Sequence, residues 1–124
     1  MRVLLVDDEV ELVSALAERL DLRGIDAQYA LSGEEALQQA QKTSYDLAVL
    51  DVKMPGIGGL ALKERLEALR PDLKFIFMTG YGSDAVIEEI RQDRESNIYL
   101  VKPVAIEDLL EAMHKVLPAQ KKEL

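Results

Sequence analysis

Apolar and polar positions along the chain follow two alternating periods. Residues 2–6, "RVLLV", are a compact aliphatic run that reads as a strand. Beyond it the apolar residues recur every three or four positions. Val13, Leu16, Ala17 and Leu20 share one helical face, and Gly24 follows the end. Asp8 is placed to cap this helix, with Glu11 as its capping-box partner. "IDAQYA" (25–30) is a weaker strand. Ser32 and Glu35 form a second capping box, opening a helix that runs to about Lys42.

The same alternation continues to the C-terminus. "DLAVL" (46–50) is a third strand, and Leu62, Leu66 and Leu69 mark a helix over 59–69. "KFIFM" (74–78) is apolar on both faces, as suits a central strand in a covered parallel sheet. A helix capped by Ser83 or Asp84 is expected over 83–93, then a fifth strand, "IYLV" (98–101). The last helix, 105–117, aligns Leu109, Leu110, Met113, Val116 and Leu117, and Pro118 stops it. Strict alternation of five strands and five helices, (βα)5, implies one doubly wound α/β domain with a parallel sheet and right-handed crossovers. The expected domain covers 1–118, with 119–124 a tail or the start of a linker.

Composition narrows the function. The chain has 124 residues, 48% hydrophobic, which suits one domain with a real core. It has 15 basic and 23 acidic residues, for a net charge of −8. That balance argues against nucleic-acid binding by this domain, which needs clustered Lys and Arg, and is compatible with a bound cation. There is no cysteine, so disulfides and thiolate metal sites are excluded, in keeping with a cytoplasmic location. No apolar run approaches the roughly 20 residues that span a bilayer, and "MRVLLVDDE" lacks the length and cleavage pattern of a signal peptide.

The candidate chemistry lies at the strand ends, where ligands bind in open α/β sheets. The first strand ends in Asp7-Asp8, the third in Asp51, the fourth in Thr79-Gly80 and the fifth in Lys102-Pro103. Taken singly, each has a bland role: Asp8 as a helix cap, Asp51 as a turn residue, Thr79 as a strand end, Lys102 as a solvated surface cation. Together, in the strand order 2-1-3-4-5, they meet on one rim. Three carboxylates there would repel one another, and Mg²⁺ would relieve that repulsion. A carboxylate beside Mg²⁺ and a Lys can attack phosphorus and form an aspartyl phosphate.

The segments "LLVDDE" (4–9), "LAVLDVKMPGIGG" (47–59), "FMTGYG" (77–82) and "YLVKP" (99–103) closely resemble the receiver, or phosphoacceptor, domain of two-component response regulators. The resemblance covers nearly the whole chain. It implies a flavodoxin-like fold of order 2-1-3-4-5. It also implies that Asp51 is the phosphoacceptor, that Asp8 ligates Mg²⁺ directly, that Asp7 acts largely through water, and that the main-chain carbonyl of Lys53 completes the metal site. Thr79 is then the switch hydroxyl, Tyr99 the aromatic that moves with it, and Lys102 the partner of Asp51 or its phosphoryl group. Lys102-Pro103 is implied to be a cis peptide. The implied partner is a sensor histidine kinase or phosphotransfer protein. A homodimer or effector domain would use the face of the fourth helix, fifth strand and fifth helix. Lys53 and Tyr81 occupy positions that tune dephosphorylation in the family.

The chain departs from the family at "RQDRESNIYL" (91–100), which replaces the usual Gly-Ala and acid, and at Val104, where Phe is frequent. The alternative function is a receiver-like interaction module that works without phosphorylation. A haloacid-dehalogenase type of enzyme needs an acid two residues after the nucleophile, where this chain has Lys53. The dinucleotide-binding and Walker phosphate loops are absent. His114, the only histidine, is expected to be exposed, and Phe75 and Phe77 are expected in the core.

Overall fold

A computed structural model of the chain describes residues 1–80 and 98–117. The helix expected at 83–93, Tyr81, the stretch 91–97, Pro118 and the tail all lie outside the described residues. The elements are β1 (Arg2–Val6), α1 (Val10–Asp21), β2 (Asp26–Ala30), α2 (Gly33–Lys42), β3 (Leu47–Asp51), α3 (Gly59–Leu69), β4 (Lys74–Thr79), β5 (Ile98–Val101) and α4 (Ile106–Val116). Here α4 is the fifth helix of the sequence pattern.

All strands are parallel, in the order β2-β1-β3-β4-β5. The expected α/β class and strand order are therefore observed. Because side chains alternate across a strand, the sheet serves two cores at once. Val3 and Leu5 of β1, Val49 of β3 and Ile76 and Met78 of β4 pack against α1 and α4 through Val13, Leu16, Leu20, Leu109 and Met113. Leu4, Val6, Ala48, Leu50, Phe75 and Phe77 point the other way, onto Ala36 and Ala40 of α2 and Leu62 and Leu66 of α3. Phe75 and Phe77 are core residues, and His114 is exposed.

Two local details differ from the sequence pattern. Asp8 does not cap α1. The Asp7 carboxylate turns back and accepts the Glu9 N–H at 2.9 Å, so the chain stays extended through Glu9, which is the N-cap without a side-chain hydrogen bond. Asp8 is left exposed on the rim. The α2 box forms its forward arm, Glu35 N–H to Ser32 Oγ at 3.1 Å, but the Glu35 carboxylate reaches Leu31 N–H rather than Ser32.

Strand β3 also runs one residue further than its apolar run. Asp51 pairs with Met78, and Val52 N–H donates to the Met78 carbonyl at 2.8 Å. The phosphoacceptor candidate is thus the last residue of the strand rather than the first of a loop. Helix α3 then starts hard against it. Gly59 N–H donates to the Val52 carbonyl at 2.9 Å, and a Cβ at Gly59 would collide with the Asp51 carbonyl oxygen and lie 2.9 Å from the Val52 Cα. Those neighbours are backbone and cannot swing away. Gly59→Ala should therefore cost about 1–3 kcal/mol of stability, read as a lower urea midpoint at an unchanged slope. An unchanged midpoint would mean that the contact between α3 and β3 is looser than described.

Candidate functional site

Four strand ends deliver the site. Asp7 follows β1 directly and is fully buried, and Asp51, ending β3, is 4% exposed. These are the buried charged residues among those described. Lys102 follows β5, tied down by its own N–H to the Thr79 carbonyl at 2.8 Å. Its Nζ lies 2.8 Å from Asp7 Oδ2, 2.9 Å from Glu9 Oε1 and 3.1 Å from Asp51 Oδ2. The other Asp51 oxygen, Oδ1, accepts the Lys53 N–H at 3.3 Å. The Lys102–Pro103 peptide is cis.

The remaining residues singled out in the sequence stand around this group. Asp8 is exposed, and one oxygen from each of Asp7, Asp8 and Asp51 lies within 4.8 Å of the others. An open crevice of about 310 Å³ is lined by Asp8, Glu9, Asp51, Lys53, Gly80 and Lys102. Thr79 is half-buried at the end of β4, and its hydroxyl donates to the Gly80 carbonyl at 3.2 Å. Tyr99 is half-buried on β5, its ring stacked on Phe77 with centroids 5.1 Å apart and planes 19° from parallel. Val104 is buried in the core with α1 and α4.

Glu9 is the contact that sequence reasoning missed. It was visible only as the third acid in "VDDE". Its reach to Lys102 joins residues 93 apart, and no local pattern carries that.

The electrostatics follow from burial. Asp51 is pushed up to about 6, first by burial and then by the negative charge of Asp7, against the opposing pull of Lys102 and the Lys53 N–H. For Lys102, burial acts to lower the pKa, but the close carboxylates of Asp7, Glu9 and Asp51 outweigh it and the ammonium is held well above its usual range. Among the described residues, Asp7 Oδ2 is buried without a hydrogen bond of good geometry, 2.8 Å from the Lys102 ammonium. Hard oxygen donors, excess negative charge and an under-satisfied buried carboxylate oxygen all fit a divalent cation. The arrangement can present a carboxylate oxygen, beside a fixed cation, to an incoming electrophile.

Comparisons with known proteins point the same way. The chain matches the family described as the response regulator receiver domain over residues 3–114. It is 30% identical over 117 residues to sporulation initiation phosphotransferase F of Bacillus subtilis, covering 94% of each chain. It spans only 24% and 54% of two other matched regulators. Among solved structures, a CheY-like receiver domain protein from Methanospirillum hungatei superposes with a TM-score of 0.84 at 32% identity, covering 99% of this chain and 98% of that one. The response regulator TrrA of Thermotoga maritima, solved in complex with Mg²⁺-BeF, gives 0.77 at 34% identity, covering 94% and 98%.

The raised Asp51 pKa has a consequence for stability. Its folded value lies above the ordinary carboxylate value of 3.8, so the folded chain binds that proton more tightly than the unfolded one. Ionised Asp51 therefore opposes folding, increasingly as pH rises from about 4 to about 6, by up to about 3 kcal/mol. In metal-free buffer, Asp51→Asn should melt several degrees above the parent at pH 8, and the gain should shrink towards pH 4. An equal gain at both pH values would remove the electrostatic explanation.

Proposed function

The chain belongs to the response regulator receiver domain family, and from that premise we propose that it is a phosphorylation-dependent signalling switch whose phosphoacceptor is Asp51. The observation that supports this most is the position of Asp51. It is buried at the end of β3, with one oxygen 3.1 Å from the Lys102 ammonium and the carboxylates of Asp7 and Asp8 beside it. The donor is a phosphohistidine on a sensor histidine kinase or a phosphotransfer protein. An Asp51 oxygen attacks the phosphorus, the new O–P bond forms as the donor's N–P bond breaks, and the imidazole nitrogen leaves with the electron pair.

Each residue has a part in this reading. Asp7, Asp8, Asp51 and the Lys53 main-chain carbonyl would hold Mg²⁺, which when bound supplies positive charge to screen the phosphoryl oxygens. Lys102 stays protonated at any physiological pH and meets the charge that develops on the transferred group. Thr79 exchanges its bond to the Gly80 carbonyl for one to a phosphoryl oxygen. Tyr99 follows, leaving its stack on Phe77, and repacks the β5 side of the domain. This is a population shift between two packings. Driving it from 1:99 to 99:1 takes about 5.5 kcal/mol of differential interaction.

The remaining assignments rest on the same reading. Residues 1–118 form the receiver unit, and 119–124 are a tail or the start of a linker. The domain acts in the cytoplasm, as a switch rather than an enzyme on an outside substrate, and catalyses only its own phosphoryl transfer and dephosphorylation. Among the described residues no helix is long and apolar enough to cross a membrane. A homodimer or effector partner would read the face that includes β5 and α4. A phosphorylation-independent interaction module is the weaker alternative, because Asp8, Asp51, Thr79 and Lys102 are all present.

Incubation with acetyl phosphate and Mg²⁺, followed by intact-mass measurement, tests the proposal. The parent should gain one phosphoryl increment and Asp51→Asn none. Lys102→Ala should be slowed roughly 100-fold. No increment in the parent, or an equal one in Asp51→Asn, would sink the phosphoacceptor reading.

A further inference from the structure

The phosphoryl-transfer chemistry has no use for Glu9, yet the fold places it with care. Its backbone N–H is held by the Asp7 carboxylate at 2.9 Å, which fixes it as the N-cap of α1 beside the site. Its own carboxylate reaches 2.9 Å to Lys102 Nζ and lines the same crevice as Asp8, Asp51, Lys53 and Gly80. An ammonium has three N–H donors. Here Glu9 and Asp51 accept hydrogen bonds from it, and Asp7 Oδ2 lies 2.8 Å away as an ion-pair partner.

A phosphoryl oxygen bound to Asp51 needs one of those donors. The three carboxylates are not equally easy to displace. The Asp7 side chain is 0% exposed and that of Asp51 6%, whereas that of Glu9 is 60% exposed. A buried carboxylate stripped of its cation is left without solvation, but an exposed one is rehydrated at once. Glu9 is therefore the partner that leaves. It also adds a fourth negative charge at the mouth of a crevice that must admit an anion.

We propose that Glu9 is an electrostatic latch on Lys102, a positioning residue that holds one of the ammonium's donors in the unphosphorylated state and releases it to an incoming phosphoryl oxygen. This rests on Asp51 being the phosphoacceptor. Glu9 thus sets how fast the site accepts a phosphoryl group without touching the reacting atoms.

The test compares the full chain with its Glu9→Gln variant under saturating Mg²⁺ and limiting acetyl phosphate. Glu9→Gln should be phosphorylated about fivefold faster, the factor expected of a half-exposed ion pair. Its affinity for Mg²⁺ alone should stay equal or weaken slightly, since one nearby negative charge is gone. A general disturbance of the site would instead lower both rate and affinity. In the metal-free protein, the ¹³Cε and ¹Hε resonances of Lys102 should shift between parent and variant, which reports loss of the contact without any turnover. An unchanged or slower phosphorylation of Glu9→Gln, beside a parent that is phosphorylated normally, overturns the latch. Failure of both proteins to take up phosphate overturns the phosphoacceptor reading instead. An unshifted Lys102 resonance overturns the contact itself.

Discussion

One ammonium group organises this molecule's working end. Parallel strands of the order β2-β1-β3-β4-β5 bring the carboxylates of Asp7 and Asp51 to neighbouring positions, both almost without solvent. Burial, and then the like charge of Asp7, both disfavour ionised Asp51 and push its pKa up. Lys102 Nζ, delivered from β5 on the far side of β4, sits against both. It offsets enough of the repulsion for the fold to keep the acids, but not enough to leave Asp51 an ordinary carboxylate. A site balanced in this way is receptive to further positive charge. It holds the Asp51 carboxylate in place at the end of its strand.

The rest of the structure can be understood as support for that balance. The central strands β1, β3 and β4 are covered on both faces, and Asp7 and Asp51 are each fixed by backbone pairing rather than by a loop. Asp51 is held from behind by α3, whose first residue, Gly59, lies against its carbonyl. The side chains best able to move stand further out. The Thr79 hydroxyl is turned to its neighbour's carbonyl, and the Tyr99 ring lies against Phe77 at the margin of the α2–α3 core. A stack of this kind is worth about 0.5–1.5 kcal/mol. It is enough to favour one packing and small enough to be reversed.

Most of this arrangement was legible in the residue pattern, because the informative signals were local. The strands β1, β3 and β4 are continuous apolar runs, and each breaks to a polar residue at the carboxyl end. What stayed hidden depended on competition or on distance. The Asp8-x-x-Glu11 spacing looks like a helix cap, but the Asp7 side chain claims the nearby N–H of Glu9 and delays the helix to Val10. The end of β3 is one residue later than its hydrophobicity suggests, since the Asp51 backbone joins the ladder whatever its side chain. The pairing of Glu9 with Lys102 requires the whole sheet to be in place, and nothing near either residue announces it.

The register of the strands also constrains how such a chain can change length. Asp51 and Lys102 are aimed by counting residues along β3 and β5 from pairs such as Leu47 with Lys74 and Ile76 with Ile98. A one-residue insertion or deletion inside either strand would turn every later side chain to the opposite face and carry the acid or the ammonium off the rim. The opposite ends of the strands bear no such burden. The turns at 22–25, 43–46 and 70–73 lie at the amino ends of β2, β3 and β4. Length variation can accumulate there without disturbing the chemistry, so the two ends of one sheet are expected to record very different histories of gain and loss.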